Sequence, residues 1–297
     1  MQSQPLFIYR RFLMNTLIKT LGAGILAATS TAITAAPMEW YVDVLVDHGG
    51  SFPETKVNPT STGIKDQADI SFQSQTLVNT TNPGSLTVGD TIVTYAGLIA
   101  ASTNITAQSY SNNLFTALLP TIPDSANNRF GDAWYLTFRT TNLSGVISGL
   151  SDPLRPEVSY SSGTIELLFS TDLANWSNFM NLNVISSTYD TANNLNIVGN
   201  IDFTGVDTTY SSLFHKVDGI SFYDNWLDGD ANPISFSLDQ NLGAPTITPI
   251  DANTIKLSGT HGAQLYFNTV PEPATLGLLG MGMLGLGVAK QRKKLKA

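Results

Sequence analysis

The chain has no cysteine among its 297 residues, so it has no disulfide framework, thiolate nucleophile or thiolate metal site. Only three histidines occur, His48, His215 and His261. No His-Glu-x-x-His spacing and no Gly-x-Ser-x-Gly elbow accompanies them, so the usual signatures of zinc and serine hydrolysis are missing. Positive charge is scarce in the long middle of the chain. Between Pro37 and Val270 stand 7 Lys plus Arg against 22 Asp plus Glu, a net charge of −15. A body this acidic repels phosphate backbones, which excludes nucleic acid as a partner, and it attracts metal cations or basic surfaces. Apolar residues are plentiful at 42%, enough for a sizeable core in one large body. Without crosslinks, that core has to supply the stability.

The basic residues that exist sit mostly at the two ends. Arg10, Arg11 and Lys19 precede an apolar run from Leu21 to Ala28, and small residues follow to Ala36. Charge, apolar run and small residues in that order are the layout of a secretory signal peptide over residues 1–36, cut by signal peptidase. Met14 is an alternative start, because Met14 to Lys19 is already a compact charged segment. The body is expected over 37–269 and a distinct tail over 270–297. In that tail Val270 precedes Pro271, Glu272 and Pro273, residues 275–289 carry no charge, and 290–296 hold Lys290, Arg292, Lys293, Lys294 and Lys296. The two prolines forbid helix and keep Glu272 in extended backbone that a protease can read. About fifteen uncharged residues fall short of the roughly twenty that span a bilayer comfortably, so a strained or thin-membrane transmembrane helix is expected. The basic end, with Arg292, Lys293 and Lys294, then stays cytoplasmic and leaves the body on the far side.

This tail resembles the PEP-CTERM sorting domain of Gram-negative bacteria, in which the tripeptide, an apolar segment and a basic end follow in the same order. The resemblance covers residues 270–297 and implies transient membrane insertion, removal of the tail by an exosortase-type membrane enzyme, and passage of the body to the cell surface or extracellular matrix. An ordinary membrane anchor following Pro-Glu-Pro is the alternative.

The body reads as strands. Apolar alternation with turn residues between the segments recurs in Trp40–Val46, Ile70–Val78, Thr91–Tyr95, Trp134–Phe138, Thr164–Phe169, Ile197–Phe203, Gly219–Tyr223, Ile234–Leu238, Thr254–Leu257 and Ala263–Phe267. Ten to thirteen strands at this spacing predict an all-β body, expected as a jelly-roll-like antiparallel β sandwich. Apolar spacing of three or four predicts short helical turns at Leu173–Met180 and Thr208–Lys216.

Candidate chemistry is sparse. Glu157, Glu166, Asp172 and Asp202 are the carboxylates from which a glycosidase pair would be drawn. Asp228, Asp230, Asn232 and Asp239 fall at positions one, three, five and twelve of a calcium-loop spacing, although Pro233 stands where such a loop wants glycine. Trp134, Trp176 and Trp226 are candidate stacking faces for sugar rings, against core packing as the commoner fate of a strand tryptophan. Loops rich in Asn, Thr and Ser, such as Val78–Gly84, give a neutral hydrogen-bonding surface suited to hydrated sugars and equally to ordinary turns. Tyr160–Glu166, Ile201–Gly205, Gly219–Asp224 and Pro233–Asn241 give the body a second resemblance, to the flocculation-associated group of PEP-CTERM proteins, which implies cohesion of cells with exported polysaccharide. The expected protein is therefore a non-enzymatic matrix or surface component with exopolysaccharide as its partner and calcium as its candidate ion. A secreted polysaccharide-processing enzyme and a simple membrane-anchored surface protein are the alternatives.

Overall fold

A computed structural model describes residues 37–49, 56–120, 127–152, 154–189, 194–229 and 234–269. In chain order the strands are β1 (Trp40–Val42), β2 (Gln67–Asn79), β3 (Thr91–Gly97), β4 (Phe115–Leu119), β5 (Tyr135–Asp152), β6 (Arg155–Ser162), β7 (Thr164–Ser170), β8 (Ser177–Tyr189), β9 (Asn194–Asp202), β10 (Phe214–Lys216), β11 (Ile234–Leu242), β12 (Thr246–Pro249) and β13 (Thr254–Thr269). One short helix, α1 (Phe222–Leu227), lies between β10 and β11. None of the described residues forms a helix long and apolar enough to cross a membrane. The expected signal peptide over 1–36, the expected transmembrane segment 275–289 and the rest of the tail lie outside the described residues.

The all-β expectation holds and the sandwich does not. Strands β2, β3, β5, β7, β8, β9, β11 and β13 pair in that order, each antiparallel to the next, and β13 returns to β2. That last seam runs without a break from Thr254 opposite Asn79 to Leu265 opposite Ala68, so the sheet closes into an eight-stranded up-and-down barrel. Closure removes the open edges that two stacked sheets would leave. Strand β4 extends the wall beside the first half of β2, and β12 lies along β13. Strands β6 and β7 are two halves of one bent segment on the same side of β5, joined at Gly163, whose φ of +136° suits glycine.

Alternation decides which side chains fill the barrel. Along β2, Ala68, Ile70, Phe72, Ser74, Thr76 and Val78 are buried, and along β13 the same holds for Ile255, Leu257, His261, Ala263, Leu265 and Phe267. One end is plugged. The β1–β10 ribbon and α1 place Trp40 stacked on Phe214 with ring centroids 5.0 Å apart, while Trp40 and Phe222 both meet Phe267 edge-on. Aromatic pairs of this kind add about 0.5–1.5 kcal/mol each to their burial.

Three local expectations fail for identifiable reasons. Residues 219–223 were expected as a strand, but the Ser221 hydroxyl accepts the Asp224 N–H at 2.9 Å and caps α1 instead. The turn expected at Leu173–Met180 is not helical. The Asp172 carboxylate accepts the N–H groups of Ala174 and Asn175, Leu173 takes φ +62°, and β8 begins at Ser177. Thr208–Lys216 likewise forms turns that run into β10.

Candidate functional site

Midway up the barrel the filling changes character. Above Phe72 and Phe138, whose rings pack edge to face, the inward positions become Ser74 and Thr76 on β2, Thr94 on β3, Tyr160 on β6, Gln240 on β11 and His261 on β13. These side chains join Leu143, Ile165, Leu195, Ile197, Leu238 and Leu257 around a cavity of about 70 Å³, with Arg155, Tyr189, Leu242 and Pro245 among its lining residues from the ends and connections of the strands opposite the plug. Two hydrogen-bonded groups divide the polar residues. The Thr94 hydroxyl bonds the Thr76 hydroxyl at 2.8 Å and the Tyr160 hydroxyl at 2.7 Å. Burial raises the Tyr160 phenol, and the threonine hydroxyls offset part of that rise. Separately, the Ser74 hydroxyl lies 2.7 Å from His261 Nε2.

His261 is 8% exposed, and burial pushes its imidazole down to about 4, so the ring is neutral at pH 7. Its Nδ1 is buried without a hydrogen-bond partner. Space for the ring is made two residues earlier on the same wall: a β-carbon at Gly259 would stand 2.9 Å from the ring's Cε1. The Ser74–His261 distance is that of a nucleophile and its base, but no acid orients Nδ1 and a base held near 4 gains little from a serine proton.

A second concavity lies outside the barrel, over the β2–β13 seam. Gln73, Gln75, Thr106, Gln108, Ser258 and Thr260 are among its lining residues, with Lys256 the one charged side chain, and its volume is about 430 Å³. The loop from Leu98 to Gln108 forms one bank. Its position is fixed by the Gln75 amide, which donates to Thr106 O at 2.7 Å and accepts the Thr106 N–H at 2.9 Å.

The residues singled out from sequence do not converge. Trp134 is fully buried and donates its indole N–H to Asn128 O, so it offers no face to a sugar; core packing corrects that expectation. Trp176 is half-buried beside Tyr110, and Trp226 is half-buried and stacked on Tyr223. Asp228 closes α1 at its C-terminal end, Asp239 sits on β11 opposite Asn196 and Gln264, and Asp230 and Asn232 lie outside the described residues. No cluster of three metal-ligating side chains occurs among the described residues. Glu166 pairs with Arg139 at 2.7 Å, Glu157 accepts from Ser151, Asp172 holds its own turn, and Asp202 accepts from Asn183 and Thr204. Sequence reasoning missed His261 as a barrel residue. It shares the inward row of Leu257, Ala263 and Leu265, and that parity was the available signal.

Residues 269–293 match the PEP-CTERM protein-sorting motif. The match takes in Val270, Pro271, Glu272, Pro273, Arg292 and Lys293, and Lys294 follows directly. A tail of this kind is processed by exosortase, a membrane enzyme, and directs export to the envelope or surface of Gram-negative bacteria. No curated protein and no solved structure matches the chain.

Proposed function

We propose that this PEP-CTERM protein, an exported and exosortase-sorted surface protein, supports cohesion of cells in flocs or biofilm by holding exopolysaccharide in the groove over the β2–β13 seam. The observation that carries the reading is the chemistry of that groove. Gln73, Thr106, Gln108, Thr246, Ser258 and Thr260 are among the lining residues that carry amides or hydroxyls, Lys256 alone is charged, and 430 Å³ is the size of a small-molecule cleft. Amides and hydroxyls exchange hydrogen bonds with sugar hydroxyls at little desolvation cost. Each contact is weak, and many copies on one surface gripping a repeating polymer multiply it. Divalent cations bridging the acidic body to acidic sugars belong to the same reading, with calcium as the candidate ion.

The test is co-sedimentation of the exported protein with exopolysaccharide from its own cells, alongside a Gln73→Ala/Thr260→Ala double variant. Both side chains are on the outer face of the barrel wall, so the fold should survive. The variant is expected to lose about tenfold in binding and to weaken aggregation when it replaces the wild type. Equal binding by variant and wild type would sink the groove assignment. New reducing ends in the polysaccharide would replace cohesion with the enzymatic alternative.

A further inference from the structure

The cavity inside the barrel is separate chemistry from the groove, and it stands or falls independently of the polysaccharide reading. Its wall is mainly apolar, with Leu143, Ile165, Leu195, Ile197, Leu238 and Leu257 on five different strands. Into this wall is set one imidazole, nine-tenths buried, with Nε2 committed to Ser74 and Nδ1 without a partner. A buried ring nitrogen left alone is costly whichever tautomer is present. If Ser74 donates to Nε2, Nδ1 carries a hydrogen with no acceptor; if Nε2 donates to Ser74, Nδ1 is a lone pair with no donor. The absent side chain at residue 259 lets the His261 ring lie against the barrel wall, within the cavity lining.

We infer that the barrel interior is a binding site for a small, mainly apolar, uncharged molecule whose single hydroxyl or carbonyl oxygen completes the hydrogen bonding of His261 Nδ1. A hydroxyl answers either tautomer, and a carbonyl answers the one in which Nδ1 carries the hydrogen. The apolar remainder lies against the leucines and isoleucines and leaves the cavity past Tyr189 and Leu242. Size limits the enclosed part: 70 Å³ is about half of the roughly 150 Å³ void known to take up the six carbons of benzene, so about three carbons fill it and the rest of a longer chain extends toward the mouth. An uncharged ligand is favoured because the only cation in the lining, Arg155, stands at the start of β6, away from the His261 ring row.

The experiment uses the exported protein, labelled with ¹⁵N, and follows the ring nitrogens of His261 during titration with 1-pentanol, 2-pentanone, pentane and pentanoate. The alcohol is expected to move the Nδ1 resonance saturably and to bind about tenfold more tightly than pentane, the usual cost of leaving one buried polar group unmatched. In His261→Leu, the alcohol and the hydrocarbon should bind equally, while Leu195→Trp, which fills the cavity and leaves His261 in place, should abolish binding of both. A ring signal unmoved by every probe would mean that the cavity holds water alone, and would overturn the inference even if neither variant folds. Pentanoate binding more tightly than pentanol without a response from the ring would also overturn it, by moving the polar end of the ligand to Arg155.

Discussion

A neutral histidine in an apolar barrel ties folding to pH in a way no exposed histidine does. In the unfolded chain His261 binds a proton near pH 6.5, whereas in the barrel it does so only near 4. Between those values the unfolded state holds the extra proton, so stability is fully present above about 6.5 and falls as the pH drops toward 4, by roughly 3 kcal/mol in all. A second loss begins lower. Burial raises the carboxyl groups of Asp90 and Asp202, but hydrogen bonds outweigh it: Asp90 accepts from Thr81 and Thr87, and Asp202 from Thr204 and Asn183. Both carboxyls therefore titrate below their usual value, and their contribution is lost only below about pH 4. Urea unfolding across the pH range should accordingly show two slopes. His261→Gln should flatten the one between about 6.5 and 4 and leave the lower one as steep as before; a slope that persists in the variant would assign it to another group. This histidine was hard to read from sequence because Gly259 and Gly262 flank it and the stretch resembles a turn between two short strands. In the barrel, Thr254–Thr269 is one strand, and His261 continues its inward row.

At the scale of elements, eight of the thirteen described strands were legible, while β4, β6, β8, β10 and β12 and the closure of the barrel were not. Ile70–Val78, Thr91–Tyr95, Thr164–Phe169 and Ile234–Leu238 all fall inside observed strands, because one buried face imposes the same two-residue period in a sandwich and in a barrel. What separates the two architectures is the pairing of β2 with β13, nearly two hundred residues apart in sequence, and no local pattern encodes a partner so distant. The same holds for β8, where Asp172 and Leu173 make a turn out of residues with helical spacing and a thirteen-residue strand follows. The bend between β6 and β7 gives a sharp test of the barrel wall. A β-carbon at Gly163 would lie 2.7 Å from the Leu143 Cα, on a backbone with φ +136° that side chains rarely adopt. Gly163→Ala should therefore cost about 2–4 kcal/mol through combined clash and strain, read as a lower midpoint in urea unfolding with an unchanged slope. A variant as stable as the wild type would mean that β6 and β7 do not bend there.

At the scale of the whole molecule, a net charge of −15 over the body meets a groove whose lining holds one lysine and otherwise uncharged groups. Two kinds of attachment to a matrix should therefore be separable by salt. A neutral polysaccharide is held by short-range hydrogen bonds, so raising sodium chloride from about 0.1 M to 1 M, which shortens the screening length from about 10 Å to 3 Å, should change its binding less than twofold. A uronate-rich polysaccharide faces repulsion from the acidic body at about 0.1 M salt, and it should bind only when millimolar calcium bridges carboxylates on both sides, with release by a chelator. Binding isotherms of the exported protein with one polymer of each kind, with and without calcium, provide the measurement. Chelator-sensitive binding of the neutral polymer would place adhesion on the acidic surface rather than in the groove. Calcium-independent binding of the uronate polymer would instead point to a cationic contact, for which Lys256 is the residue to replace first.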